Sequence, residues 1–342
     1  MDADVSIERG LEPLAQEWSE LEERLGAIPF ARHDWLCAWW RAFGAGVLEV
    51  VVARRHGRLV GVLPLWRRSQ ILPGLRTLRS LTNPETPEYA PLAEDREVAA
   101  ALADVAFRRP SRRVVLEYLD AGSPHLEPLE AAARARGYAP HTRTLLRPPY
   151  VDIDGGWDAF LQTLDSKFVR DLRRRRRRLD ELGVVTVDVS QGETRMRELL
   201  EEGFALEPSG WKGETAIVAR PAVRAFYSEV ATAAARRGSL RIAFLRIGPR
   251  AIAFQLGLED GRVHYFLKGG YDPSFARFAP GRLLAHAMLE RAFVRRLRRF
   301  EFLGADEDWK LSWTAKTHDR VVFSAVAPTL AGRAERRSSG RW

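Results

Sequence analysis

The sequence predicts an α/β protein built from two copies of one unit, and three observations point there. The chain has 342 residues, which at roughly 100–200 residues per domain suggests about two domains. Apolar residues make up 46% and charged residues 29%, as in ordinary globular proteins, so a mainly disordered chain is excluded. Shifting the first half by 192 residues lays 29–66 on 221–258 without a gap. Pro29 then meets Pro221, Gly46 meets Gly238, Arg54 meets Arg246 and Arg58 meets Arg250. Both windows run proline, helix, glycine, strand, short turn, strand, the order of a duplicated α/β unit.

The elements follow in order. Leu11, Leu14, Trp18, Leu21 and Leu25 recur at helical spacing over 10–25, and Trp35, Leu36, Trp39, Trp40 and Phe43 do so over 33–43. Residues 48–54 and 59–66 are strands joined by a His56-Gly57-Arg58 turn. A loop at 82–91, a helix near 95–107, a strand near 113–119 and a helix near 125–136 come next. Pro148 and Pro149 in RPPY continue neither a helix nor a central strand, so a domain boundary is placed there. The first domain is thus 1–149, the second 150–330, and 331–342 a basic tail. The second opens with a strand at 150–154 and one long helix over 157–182, capped by Gly183. A strand near 184–189, helices near 194–206 and 221–236, and strands near 240–247, 251–258 and 263–268 follow. A helix near 281–297, a strand near 299–303 and a terminal strand near 320–326 complete the chain.

A net charge of +9 invites a nucleic-acid reading, but the charge is local. Residues 167–178 carry eight basic residues and one acid, the tail 331–342 carries four and one, and the remaining 318 residues are close to neutral. Arg173–Arg178 advance by about 100° per residue, so the run wraps its helix and forms no single flat face. Arg175 or Arg176 then falls beside the apolar stripe, where its head must find an acid, a carbonyl or a bound phosphate. The alternatives for this helix are a solvated, ion-paired surface or a docking surface for tRNA or an anionic glycan-lipid. Few aromatics neighbour the charge, which disfavours general nucleic-acid binding. The single cysteine, Cys37, allows no internal disulfide, and the acidic start MDADVSIERG lacks the apolar core of a secretory signal. No run approaches a membrane span. The expected location is cytoplasmic, with peripheral membrane contact left open. The dispersed histidines show no metal-ligand spacing, so no metal is expected.

The second copy carries the chemistry. After the strand at 263–268, Tyr271-Asp272-Pro273 leads into Arg277-Phe278-Ala279-Pro280-Gly281-Arg282 and a helix. A Pro-Gly start leaves the first backbone N–H groups available to an anion, and no acid lies between Pro273 and Glu290. In the first copy the corresponding helix opens on Glu94-Asp95-Arg96-Glu97, acids that stabilise a helix and oppose phosphate.

These residues resemble the GNAT superfamily of N-acetyltransferases, in particular the branch with a BioF2-like or CelD-like acetyltransferase domain, which is related to the tandem FemAB aminoacyltransferases. The stretches that carry the resemblance include Pro29-Phe30 with Trp35-Leu36-Cys37-Ala38-Trp39-Trp40, Gly57 to Leu65, Ser209-Gly210-Trp211-Lys212-Gly213, Ala279 to Leu284 and Phe300 to Lys310. The resemblance spans about 10–327. It implies α+β mixed sheets in two tandem GNAT-like acyl-CoA N-acyltransferase domains. Acetyl-CoA or another acyl-CoA would be co-substrate, held by the second domain alone. Its pyrophosphate would lie on Arg277, Ala279, Pro280, Gly281 and Arg282. Backbone N–H groups of Phe266, Leu267 and Lys268 would polarise the thioester carbonyl. An amine, on a small molecule or a glycan, would attack directly in a ternary complex. The family pattern of Arg or Gln followed by a glycine-rich turn is only partly met, since Pro280 stands at a glycine position and Arg282 at the last.

Asp306 and Glu307 follow an apolar strand, at the sheet end where such folds place ligands, and are candidates for the base or for gripping the amine. The alternative is a solvated acidic turn. Lys212 and Lys310 are candidates for an anionic part of the acceptor, Trp211 and Trp309 for its walls or for core packing, and Arg175 and Arg176 for an anionic ligand. Two other functions fit the same residues. One is a FemAB-type transfer of an aminoacyl group from tRNA to a cell-wall precursor. The other is a catalytically inactive binding module of a polysaccharide system. A monomer or homodimer is expected.

Overall fold

The computed structural model describes residues 3–68, 76–108, 111–191, 194–206 and 217–328. Trp211, Lys212 and the basic tail lie outside the described residues.

The chain forms two compact units, one of residues up to 146 and from 319 on, the other Arg147–His318. The first unit contains β1 (Asp4–Glu8), α1 (Ala15–Leu25), α2 (His33–Phe43), β2 (Val47–Arg55), β3 (Arg58–Arg67), β4 (Thr77–Ser80), β5 (Leu92–Ala93), α3 (Arg96–Arg108), β6 (Arg113–Asp120), α4 (Leu126–Ala135) and β7 (Ala139–Leu146). The second contains β8 (Tyr150–Asp152), α5 (Trp157–Thr163), α6 (Ser166–Asp180), β9 (Val185–Ser190), α7 (Met196–Leu206), α8 (Pro221–Arg236), β10 (Leu240–Ile247), β11 (Arg250–Asp260), β12 (Val263–Tyr271), α9 (Pro280–Val294), β13 (Arg299–Glu301) and α10 (Asp308–Leu311). The last strand, β14 (Arg320–Val326), returns to the first unit.

The first sheet runs β1-β2-β3-β4-β6-β14-β7, with β5 also on β3, and the second runs β8-β13-β12-β11-β10-β9. Each has one parallel pair, β4 with β6 and β12 with β13; the other pairings are antiparallel. The duplication is visible in this order. The helix and hairpin α2-β2-β3 repeat as α8-β10-β11, and each hairpin leads to a parallel pair. The two hairpin turns solve the twist problem differently. His56 and Gly57 both take positive φ, 52° and 77°, whereas Gly248 takes φ 53° before Pro249. Both geometries suit two-residue connections between twisted strands.

Each unit has its own core. In the first, Val60, Leu63, Val98, Leu102, Leu116 and Phe323 join sheet to helix. In the second, Leu172, Leu179, Leu245, Leu284, Met288 and Phe300 do so.

The structure corrects the sequence reading in three places. The helix expected over 157–182 is two helices, because Leu164 is extended and the Asp165 side chain caps α6 by accepting the Phe168 N–H at 2.8 Å. The terminal strand expected in a 150–330 domain lies between β6 and β7 in the first sheet. Strands β1 and β7 form at the sheet edges where the sequence reading places none: β1 is only five residues long, though its Val5 and Ile7 alternate onto the core, and β7 lacks a clear alternation and contains Pro140, which an edge tolerates.

Candidate active site

The site is built where β12 and β13 part. Their parallel ladder covers Val263–Arg299, His264–Phe300 and Tyr265–Glu301 and ends there, while β12 continues along β11 to Tyr271. On the β11 side, Gly257 pairs with Phe266 and Leu256 with Lys268, so Leu267 is an extra residue in β12. Such a bulge bends a strand and re-aims its side chains. Here it turns Lys268 toward α8, where its ammonium lies 5.3 Å from the Tyr227 ring centroid. Phe266 stays with Trp309, centroids 5.8 Å apart. A Cβ at Gly269 would lie 2.7 Å from the Phe266 ring, so that ring is seated over bare backbone.

Beyond Tyr271 the chain turns through a 3-10 segment, Pro273–Phe278, into α9. Ala279 takes a left-handed conformation, φ 50°, and its carbonyl accepts N–H bonds from Arg282 at 3.0 Å and Leu283 at 3.1 Å. Pro280 has no N–H, so the start of α9 offers fewer N–H groups than the sequence reading supposes and centres on Gly281. Arg277 and Arg282 flank it and form no ion pair among the described residues. The loop is pinned from below: Phe278 is buried, and the Arg175 guanidinium donates to the Arg277 carbonyl.

Arg175 also bonds Asp171 at 2.6 Å, and Arg176 bonds Asp180 at 2.9 Å and the Val185 carbonyl at 3.1 Å. The arginine near the apolar stripe therefore finds an acid and a carbonyl. Both hold α6 to its surroundings.

After β13 the chain turns back through Leu303 and Gly304, both with positive φ, 56° and 63°. A leucine there is strained. The strain is held by Lys310, which is buried and donates to the Leu303 carbonyl at 2.8 Å and the Ala305 carbonyl at 3.0 Å, and pairs with Glu307 at 3.1 Å. Its three N–H bonds are all committed, so Lys310 shapes the loop and does not serve as an acceptor clamp. Glu307 is also engaged, accepting the Trp309 indole N–H at 2.8 Å. Asp306 is exposed on the same loop. Trp309 walls the space with Phe266 and with Phe302, whose ring lies 5.7 Å away.

A further pair emerges that sequence reading missed. Glu301, buried at the last position of the parallel ladder, accepts from His318 Nε2 at 3.0 Å. His318 stacks on Tyr150, with centroids 4.2 Å apart. Alternation puts Phe300 in the core and Glu301 on the other face of β13. Its partners, however, sit 17 and 151 residues away along the chain, and no local pattern brings them together. Among the described residues no group of three or more His, Cys, Asp or Glu is placed to hold a metal ion.

In the first unit the equivalent gap is filled. Past the end of β4, Tyr89 donates its N–H to the Tyr118 carbonyl at 2.9 Å and its hydroxyl to the Pro64 carbonyl at 2.6 Å, bridging β6 and β3. The start of α3 is capped by Asp95, which accepts the Val98 N–H at 2.9 Å and pairs with Arg55.

Comparison with known proteins agrees with this architecture. Residues 166–311 match a family model described as an acetyltransferase (GNAT) domain. No curated protein matches the chain. Among solved structures, a conserved protein of unknown function from Bacteroides thetaiotaomicron is similar at 12% identity and TM-score 0.58, covering 94% of this chain and all of that one. FemX is similar at 13% identity and TM-score 0.56, covering 84% of this chain and 90% of its own. A tandem GNAT protein from the clavulanic acid biosynthesis pathway is similar at 14% identity and TM-score 0.51, covering 96% of this chain and all of its own. The bulged, parting strands and the Pro280-Gly281 helix start thus lie inside the segment that matches the acetyltransferase (GNAT) model, and the chain shares its fold with FemX and with the tandem GNAT protein.

Proposed function

We propose that the second unit transfers an acyl group from acyl-CoA to an amine acceptor, such as an amino sugar or a cell-envelope precursor. One observation carries the reading: β12 and β13 part at Tyr265 and Glu301, beside an acid-free helix start at Ala279-Pro280-Gly281. Gly281 supplies an N–H without a side chain in the way, and Arg277 and Arg282 add positive charge for a pyrophosphate. Phe266, Leu267 and Lys268 present backbone to a thioester carbonyl, and Phe266, Phe302 and Trp309 keep water from it. The acyl-CoA supplies an activated acyl group, which the amine takes without an enzyme nucleophile.

The amine must lose a proton before or during attack. Glu301 is the carboxylate assigned to that role, with His318 fixing its orientation. Glu307 is spent on Trp309 and Lys310, which leaves Asp306 to grip the acceptor's ammonium. In the first unit Tyr89 bridges β6 and β3 and acids open α3, so that unit is assigned a structural or acceptor-binding role.

Thermal-shift titration with acetyl-CoA and longer acyl-CoAs tests the reading. Stabilisation by at least one is expected, and none from any of them sinks it. The rival reading, aminoacyl transfer from tRNA, is favoured by the exposed arginines of α6. It predicts tRNA binding that weakens steeply with salt, measurable by filter binding.

A further inference from the structure

The outer face of α6 is not used by the site. Lys167, Arg170, Arg173, Arg174, Arg177 and Arg178 are all exposed. At about 100° per residue they fall within an arc of roughly 140° and extend about 16 Å along the helix. The sequence alone suggested a charge wrapped around the helix. The structure resolves it into one face, because Arg175 and Arg176 turn inward to Asp171, Asp180 and the carbonyls of Arg277 and Val185. Three acids border the face: Asp171, which also bonds Arg174, Asp180, which bonds Arg176, and Glu181 at its C-terminal end. The face remains strongly positive.

At that same end two aliphatic side chains project into solvent. Leu182 is 49% exposed and Val184 76%. The β10–β11 turn lies beside them, held by the Gly248 N–H bond to the Val184 carbonyl at 2.9 Å, and its Pro249 is exposed as well. Val184 and Leu182 are two of the four large hydrophobic residues that stand out as exposed among the described residues.

We infer that this face docks the protein on a membrane surface rich in anionic lipid, with Leu182 and Val184 entering the headgroup layer. The positive stripe matches a plane of negative headgroups, each basic residue adding to the attraction. The aliphatic tip decides between polyanions. A nucleic acid would be met by aromatic or hydrogen-bonding side chains, whereas aliphatic side chains beside arginines suit an interface that is apolar a few ångströms below its charge. The inner face of α6 holds the loop before α9, so docking would bring the site toward acceptors carried by the membrane. The binding itself is independent of the acyl-transfer reading, since it is measured without acyl-CoA.

The test is co-sedimentation of the full chain with phosphatidylcholine vesicles, with and without phosphatidylglycerol. Binding is expected only to the anionic vesicles and is expected to fall with salt. The triple variant Arg170→Gln/Arg173→Gln/Arg177→Gln should lower the partition coefficient roughly hundredfold. Val184→Asp should lower it about tenfold. Unchanged thermal melts for both variants would show that the fold is kept. Wild-type protein that ignores anionic vesicles overturns the inference. So does a triple variant that binds as well as wild type, which would move the attraction to the 331–342 tail. So, too, does tRNA binding that the triple variant abolishes while the vesicles stay unbound, which would assign the face to nucleic acid.

Discussion

Lys310 shows how one side chain can decide a loop. Its ammonium, buried and bonded to two carbonyls and Glu307, holds the left-handed turn at Leu303 and Gly304. Lys310→Met keeps the stem and removes the donors, leaving carbonyls unpaired. A loss of about 2–3 kcal/mol in a denaturant melt is expected, together with weaker acyl transfer from a loosened Trp309. Glu301→Gln should behave in the opposite way: the melt and the acetyl-CoA thermal shift stay near wild type, while kcat falls by about a hundredfold, in the range of a lost general base. Equal kcat would remove Glu301 from the proposed role. Gly281→Asp should abolish the acetyl-CoA shift, because its carboxylate would stand where a pyrophosphate must come. The position has room for it, since a Cβ there meets only the Tyr271 ring at 3.6 Å.

At the scale of elements, close approach outweighs intrinsic preference. Gly203 lies within α7, where alanine would favour the helix by up to about 1 kcal/mol. Yet a Cβ at Gly203 would sit 2.1 Å from the Phe254 ring of β11. Gly203→Ala is therefore expected to destabilise by about 1–3 kcal/mol through overpacking. A more stable variant in a thermal melt would show that α7 can lift from the sheet without cost. The break between α5 and α6 depends similarly on the Asp165 cap. It frees α6 to present its own faces, inward to the Arg277 loop and outward as the basic stripe.

For the whole molecule, β14 is the element that ties the chain's end to its beginning. It lies between β6 and β7, so removing everything after His318 would leave two strands without their common partner. Hydrogen exchange on such a truncation should show the first unit losing protection while the second keeps its own. Uniform protection would mean that β6 and β7 re-pair directly. Buried histidines set the acid limit. Burial holds the imidazole of His264 at about 3 and those of His286 and His125 at about 4, against an ordinary value of 6.5. The His264 ring lies 2.8 Å from the Gln255 amide and is fully buried, which favours its neutral form. The native state thus refuses protons that the unfolded chain accepts. Stability is full above pH 6.5 and falls as pH drops toward 4, by about 1.4 kcal/mol per pH unit for each such histidine. His264→Gln should flatten that fall, measured as melting temperature against pH.

By itself the sequence determined most elements, the duplication and the acid-free Pro-Gly start of α9. Those rest on local signals: helical spacing, turn glycines, Pro280 and the absence of acids before Glu290. It also singled out the loop after β13, through Asp306, Glu307 and Trp309. Tertiary structure alone decided which charges are spent and which remain free. Arg175 reaches the Arg277 carbonyl from α6, and Glu301 meets His318 across the end of the sheet. Arg176 reaches the Val185 carbonyl, and the other basic residues of α6 share one face. Only packing could assign β14 to the first unit, because a strand's sequence records its two faces but not its neighbours. Local patterns fix what an element is. The partners of a charge or a strand edge come from chain segments far apart in sequence, and no local pattern names them.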